Sequence, residues 1–242
     1  MVRFGVIGSE GAMGRALRAV IDTSDDEYAG GVDRAGDPAT LAAGADVLID
    51  FSAPDALARN LAAAQAAKVP LLVGTTGLDR SHHDALRQGA QEIAILQTGN
   101  TSLGVTLLAH LVREAARRLG PDWDIEILEM HHRRKVDAPS GTALLLGEAA
   151  AEARGIALAD HRDSGRDGAG VPRAAGAIGF AALRGGTVVG EHSVILAGEQ
   201  ERLVLSHVAE DRAIFARGAV RAARWLVGRP AGRYTMDEVL GL

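Results

Sequence analysis

The sequence predicts an α/β chain in two parts: a parallel sheet with helices on both faces, then an α+β region built on a mixed or antiparallel sheet. Three observations predict it. Short, continuous apolar runs alternate with helical segments through roughly the first hundred residues, which is how strands buried on both faces read. After that point the rhythm changes to one long helix, an alternating strand, a second helix and closely spaced strands. The composition, 47% hydrophobic and 24% charged over 242 residues, is that of a folded globular chain long enough for one large domain or two modest ones.

The elements follow in order. Val2–Ile7 is an apolar run ending at glycine. Met13–Asp22 has helical spacing, with Met13, Leu17, Val20 and Ile21 able to share a face. Tyr28–Val32, Val47–Phe51, Leu71–Val73 and Ile93–Leu96 read as further strands, with Ala-rich helices near 55–67 and 79–90 between them. Parallel sheets of this kind bind ligands at the carboxyl ends of their strands. A long helix over Leu103–Leu119 stops at Gly120-Pro121, and Asp124–Met130 alternates as a half-buried strand. Ser140–Arg154 is a helix closed by Gly155, and polar residues 160–175 read as a mobile loop. Ile178–Leu183, Thr187–Leu196 and Arg202–Val208 follow as strands on short turns, which predicts antiparallel neighbours. A last helix lies near 212–227.

Composition excludes several function classes. A net charge of −5 with no basic block argues against nucleic acid and anionic membrane as partners. Aromatic residues are only 3%, too few for base-stacking platforms. The absence of cysteine removes disulfides, thiolate catalysis and thiolate-held metal. The N-terminus enters a strand pattern without a leader, and no run of apolar residues is long enough to span a bilayer, so a cytoplasmic protein is expected.

Two segments carry chemistry. Gly8-Ser9-Glu10-Gly11-Ala12-Met13-Gly14 follows the first strand and opens the first helix. Glycines there permit a tight turn and let backbone N–H groups approach a pyrophosphate at the positive end of the helix. Asp33 ends the second strand, where a carboxylate can hold a ribose, and Arg34 beside it can hold a 2′-phosphate; the pair leaves NADH and NADPH both open. Gly74, Thr75, Thr76 and, past the fifth strand, Asn100 fall on the same sheet edge.

The second segment runs Glu129-Met130-His131-His132-Arg133-Arg134-Lys135-Val136-Asp137-Ala138-Pro139-Ser140-Gly141-Thr142-Ala143. So much positive charge at a strand end in an acidic chain suits a small dianion. Ser140 is a favoured helix cap, and the amides after it with the Thr142 hydroxyl make a carboxylate cradle. No metal is expected, because adjacent histidines on an extended strand point to opposite faces.

At these residues the sequence resembles the dihydrodipicolinate reductases, also called 4-hydroxy-tetrahydrodipicolinate reductases. The string E-x-H-H-x-x-K-x-D-A-P-S-G-T-A is specific to that family, and Glu129–Ala143 matches it throughout. Gly8–Gly14, Gly74–Gly77 and Arg184–His192 are similar too, and the likeness runs from Val2 to Leu240. The resemblance implies a Rossmann-like dinucleotide-binding domain over 1–101 and 213–242, and a substrate-binding and oligomerisation domain over 102–212. It implies an NADH- or NADPH-dependent reductase of lysine and diaminopimelate biosynthesis, assembled as a homotetramer. His131 then resembles the catalytic acid/base and Lys135 the proton donor. His132, Ser140, Gly141 and Thr142 resemble the substrate site. Gly8, Ser9, Glu10, Gly11, Ala12, Met13, Asp33, Arg34, Gly74, Thr75, Thr76, Thr98, Gly99, Asn100 and Thr101 resemble the cofactor site.

Two departures stand out. Ala12 occupies a place where the family commonly has arginine, and Gly99-Asn100-Thr101-Ser102 stands for Ala-Asn-Phe-Ser. The competing readings are another nicotinamide-dependent dehydrogenase on the same first domain, or a non-catalytic NAD(P)H sensor. The first domain alone excludes neither; the second segment is what argues against both.

Overall fold

Strand and helix alternate from the first residues, as the apolar runs require. The computed structural model describes residues 1–242 and divides into two units, Met1–Leu103 with Ala213–Leu242, and Gly104–Arg212. The first unit begins β1 (Arg3–Ile7), α1 (Ala12–Ile21), β2 (Glu27–Val32), α2 (Pro38–Gly44), β3 (Val47–Asp50), α3 (Leu57–Ala67), β4 (Leu71–Val73), α4 (Arg80–Gly89) and β5 (Ala94–Gln97). The second holds α5 (Leu103–Leu119, its first residue in the other unit), β6 (Asp124–His131), α6 (Gly141–Ala153), α7 (Leu158–His161), β7 (Arg162–Asp163), β8 (Ile178–Arg184), β9 (Gly190–Gly198) and β10 (Glu201–Ala209). The chain then returns to the first unit with α8 (Ala213–Leu226), β11 (Gly232–Tyr234) and α9 (Met236–Leu240).

The first sheet has the order β11-β5-β4-β3-β1-β2, with every pair parallel. All residues of β3 and β4 are buried, which explains why they are apolar up to Asp50 at the end of β3. On one face α1 and α8 pack Leu17, Ile21, Ala219, Ala223 and Leu226 against Phe4, Val6, Ile49 and Leu96. On the other, α2, α3 and α4 cover Ile7, Leu48, Leu71 and Ile95. Truncating one such leucine to alanine costs about 2–5 kcal/mol. The alanine-rich face of α8 permits close approach: a Cβ on Gly218 would sit 1.8 Å from the Thr101 carbonyl oxygen. Strand order reverses at β1, which has β2 on one side and β3 on the other, and such a reversal opens a crevice at the strands' carboxyl ends.

Three elements of this unit lie outside the sequence prediction. The α2 helix is a short Ala-rich turn capped by the Asp37 side chain. The three residues of β11 have no apolar run; they become a strand because the free edge of β5 pairs with them. The five-residue α9, too short to show a helical period, starts at a capping box between Thr235 and Glu238.

In the second unit β9 and β10 pair antiparallel as expected, and the expectation is corrected only for β8 and β9. The sheet is mixed, ordered β10-β9-β6-β8-β7. β8 and β9 are consecutive in the chain yet do not pair; β6 lies between them, parallel to β8 and antiparallel to β9. The physical reason is burial: placing β6 centrally lets Ile125 and Ile127 meet Ile178, Phe180, Val194 and Leu196 under α5 and α6. Residues 160–175 are only in part the loop expected, being irregular from 164 onward. They contain the end of α7 and β7, and Arg173 donates to Asp124 at 2.6 Å and to Glu126 at 2.9 Å. No helix is long and apolar enough to cross a membrane.

Candidate active site

The turn after β1 is built as the glycine pattern demands. Gly8 has φ +82°, and a Cβ there would lie 2.5 Å from the Phe51 carbonyl oxygen. Gly14 is closer still to its neighbours: a Cβ would meet the Gly8 oxygen at 2.2 Å and the Ser9 oxygen at 2.4 Å. The Gly11 cap supplies no side chain to the first turn of α1, so that turn's amides keep their capacity for an anion. The turn is tied to β2. Gly8 N–H donates to the Val32 carbonyl at 2.8 Å, while Ser9 Oγ and Glu10 N–H donate to Asp33 Oδ2 at 2.8 and 3.0 Å.

A cavity of about 560 Å³ opens at the strand reversal. Of the residues expected at a cofactor, it brings together Gly8, Gly11, Asp33 and Arg34. Sequence reading missed its other wall, which runs from Phe51 to Ala53 and includes Arg59 on α3. Arg59 Nη1 donates to the Arg34 carbonyl at 3.2 Å, so two guanidinium groups belong to one cavity beside a carboxylate. The position of Ser52 just past a strand end was the available signal; nothing local pointed to Arg59. Below this wall the buried Asp50 carboxylate accepts from Ser52 Oγ at 2.6 Å, Asn60 Nδ2 at 3.0 Å and Thr75 Oγ1 at 3.3 Å.

The remaining expected cofactor residues lie on the sheet's carboxyl edge without lining the cavity. Glu10 and Ala12 are exposed on the turn and Met13 is half-buried. Gly74 is required because a Cβ would meet the Phe51 ring at 2.3 Å. Thr75 is buried on Asp50, whereas Thr76 is exposed. Thr98 Oγ1 bonds the Asn100 carbonyl at 2.8 Å, shaping the loop that includes exposed Gly99. Thr101 is turned inward, its hydroxyl donating to the Phe215 carbonyl at 2.7 Å.

In the second unit, the centre is Glu129, 1% exposed. Its Oε2 lies 2.5 Å from His131 Nδ1, and its Oε1 accepts from Ser140 N–H at 3.1 Å. Arg184 spans both oxygens with two bonds of 2.8 Å. Burial pushes the Glu129 carboxyl up, but the Arg184 and His131 contacts outweigh it and hold it below its ordinary range. An ionised carboxylate can only accept, so Nδ1 of His131 carries its proton toward Glu129 and the roles of the ring nitrogens are set. Across the sheet, His192 on β9 meets His131 edge-on at 5.0 Å between ring centroids, and its Nε2 lies 3.0 Å from Ser140 Oγ. Burial drives His192 down to about 4, reinforced by the nearby positive charge of His131.

Ser140 Oγ also accepts from Ala143 N–H at 3.2 Å, so this hydroxyl is committed to the helix start and to His192. Gly141 is exposed and Thr142 half-buried at the same helix end. Lys135 Nζ lies 2.8 Å from Asp137 Oδ2, which holds the Asp137 carboxyl low. His132 lines a separate cavity of about 430 Å³ with Arg133, Arg134, Gly186, Thr187, Val189 and Arg212. Neither His131 nor Lys135 lines it. Arg212 Nη2 is 3.2 Å from His132 Nε2; burial and the charges of Arg212 and Arg134 lower the His132 ring. Arg184, His192 and Arg212 were not among the expected site residues. The first two stood in a matched segment, but only sheet order brings them to Glu129 and Ser140.

The family model for dihydrodipicolinate reductase, N-terminus, matches residues 2–101, and that for its C-terminus matches residues 104–240. The 4-hydroxy-tetrahydrodipicolinate reductase of Zymomonas mobilis is 52% identical over 248 residues, covering 100% of this chain and 98% of its own. That of Methylocella silvestris is 54% identical, covering 96% and 87%. A dipicolinate-bound dihydrodipicolinate reductase from Paenisporosarcina sp. TG-14 shares the fold, with a TM-score of 0.78 at 19% identity and 98% of each chain covered.

Proposed function

From the premise that this chain belongs to the dihydrodipicolinate reductase family, we propose how its residues divide the work. The reaction is the NAD(P)H-dependent reduction of 4-hydroxy-tetrahydrodipicolinate to tetrahydrodipicolinate in lysine and diaminopimelate biosynthesis. The residues of the first unit fit a dinucleotide: a glycine cradle that any Cβ would fill, open amides at α1, and a cavity with a carboxylate at Asp33. Gly8, Ser9, Glu10, Gly11, Ala12 and Met13 take the pyrophosphate, and Asp33 takes the adenosine ribose. Arg34 and Arg59 face a 2′-phosphate, supplying the charge that Ala12 does not. Gly74–Thr76 and Thr98–Thr101 shape the edge beyond. When bound, NADH or NADPH supplies the hydride.

The substrate is a small dianion, as in the dipicolinate-bound relative. In the second unit its carboxylates are met by the amides of Gly141 and Thr142 and by the positive field of His132 and Arg212. Ser140 acts behind them by starting the helix. Loss of the 4-hydroxyl as water gives the conjugated dihydrodipicolinate ring; hydride added to that ring would leave it electron-rich and ready to take up one proton, so that substrate, NAD(P)H and H⁺ become tetrahydrodipicolinate, NAD(P)⁺ and water. His131 delivers the proton, its ring oriented by the Glu129 carboxylate as a positioned general acid. Lys135, steered by Asp137, opposes the developing negative charge and serves as a further proton donor. The observation that carries this reading is the concentration of His132, Arg133, Arg134 and Arg212 at one cavity in a chain of net charge −5. Assay with the product of the preceding synthase, comparing NADH and NADPH side by side, tests it; no cofactor oxidation would sink it.

The assembly proposed is a homotetramer working in the cytoplasm. What supports it is the outer face of the second sheet, where Leu128, Leu183, Val204 and Val208 are between 36% and 58% exposed and no helix of the chain covers them.

A further inference from the structure

We propose that Glu129 and Arg184 act together as positioning residues whose opposed charges set the pH at which His131 gives up its proton. The inference rests on the reading of His131 as the proton donor and goes beyond it. It starts from a count of bonds on one buried carboxylate. Glu129 accepts from four groups: His131 Nδ1, Ser140 N–H and both terminal nitrogens of Arg184. Those donors belong to the end of β6, the start of α6 and the end of β8. Arg184 also donates to the Asp137 carbonyl, so the turn that holds Lys135 is fastened to the same ion pair.

The groups facing His131 are few and known. Glu129 stands on its own strand at Nδ1. His192 on β9 faces the ring edge-on and is kept neutral near pH 7 by burial. Gly190 on β9 lies at the other nitrogen, where a Cβ would come within 3.0 Å of Nε2. His207 on β10 lies behind His192, and burial lowers it as well. In the following turn the Lys135 ammonium is paired with Asp137, His132 is held toward its neutral form by burial and by the charges of Arg212 and Arg134, and Arg184 acts through Glu129. At neutral pH, then, the ring has one carboxylate in contact and one guanidinium behind it, with the Asp137-paired ammonium of Lys135 in the following turn.

Opposite charges near a titrating ring have opposite effects. The Glu129 carboxylate favours the imidazolium, and Arg184 offsets part of that influence. The pair therefore fixes the ring nitrogen that carries the transferable proton, by holding Nδ1–H, and also sets how readily the other nitrogen releases its own. A role in packing alone predicts no sign. This one predicts opposite signs for the two halves of the ion pair.

The test is an NMR titration of the His131 ring in the full chain without cofactor, paired with kcat against pH. The alkaline fall that disappears in H131Q defines the His131 limb. In E129Q the ring titration and that limb move to lower pH by about one unit, and kcat falls by about 10²-fold or more as the ring loses its fixed orientation. In R184Q both move to higher pH. R184K keeps the charge without the two-pronged geometry, so it restores the wild-type titration while recovering only part of kcat. Should E129Q fail to fold, the R184Q and R184K pair decides the matter alone. Shifts in the same direction for both residues, or no shift in either, overturn the coupling. Wild-type turnover in H131Q instead overturns the reading on which it rests.

Discussion

Ser9 Oγ donates to Asp33 Oδ2 at 2.8 Å, joining the glycine turn after β1 to the end of β2. The Glu10 amide uses the same oxygen. The carboxylate proposed for the ribose is thus oriented before any ligand arrives, and its orientation is set by the turn proposed for the pyrophosphate. Arg34 and Arg59 belong to the same cavity wall.

The two arginines should discriminate between cofactors. R34A and R59A are each expected to weaken NADPH by about tenfold, the loss of one charge-assisted hydrogen bond at a partly exposed site, while NADH changes little. Fluorescence titration of both cofactors against each variant measures this. Equal losses for NADH and NADPH would remove these residues from a phosphate site.

The proton donor is tested by removal. H131Q is expected to lower kcat by about 10²–10⁴-fold, the usual range for losing a general acid or base, with cofactor Kd unchanged. Steady-state kinetics with a binding titration checks both halves of the statement.

Stability should depend on His192. Its ring is held down to about 4 in the fold, whereas an unfolded histidine titrates near 6.5. Between those values the unfolded chain binds the extra proton, so stability is full above about pH 6.5 and declines as pH falls toward 4. The loss amounts to about 3 kcal/mol by the low end of that window. Urea unfolding of H192N across this range is expected to show a flatter pH dependence than wild type. Parallel curves would mean that the buried ring does not carry the linkage.

The open sheet face can be closed off by charge. V204K, alone or with L128K, is expected to break the proposed tetramer into smaller species, seen by sedimentation velocity, without loss of secondary structure. An unchanged sedimentation coefficient would place the assembly surface elsewhere.

Much of this was legible in the residues. Gly8 and Gly14 stand where a side chain cannot fit, so the turn could be read before its environment was known. Glu129–Ala143 kept its chemistry in one contiguous stretch, and Ser140 is a helix cap in the structure as its residue type suggests. Arg59 and Arg212 carried no such mark, since an arginine on a helix or past a strand is usually a solvated charge. Their significance lies in the cavities they line with Arg34 and His132.

By itself, the sequence determined the local chemistry: which strands are buried, where backbone must approach closely, and where positive charge and a helix start are adjacent. Those features depend on neighbours in the chain. Only the tertiary structure decided that β6 lies between β8 and β9, and with it that Arg184 and His192 reach Glu129 and Ser140. Strand order follows from which arrangement buries the most apolar surface, and that sum runs over residues far apart in sequence.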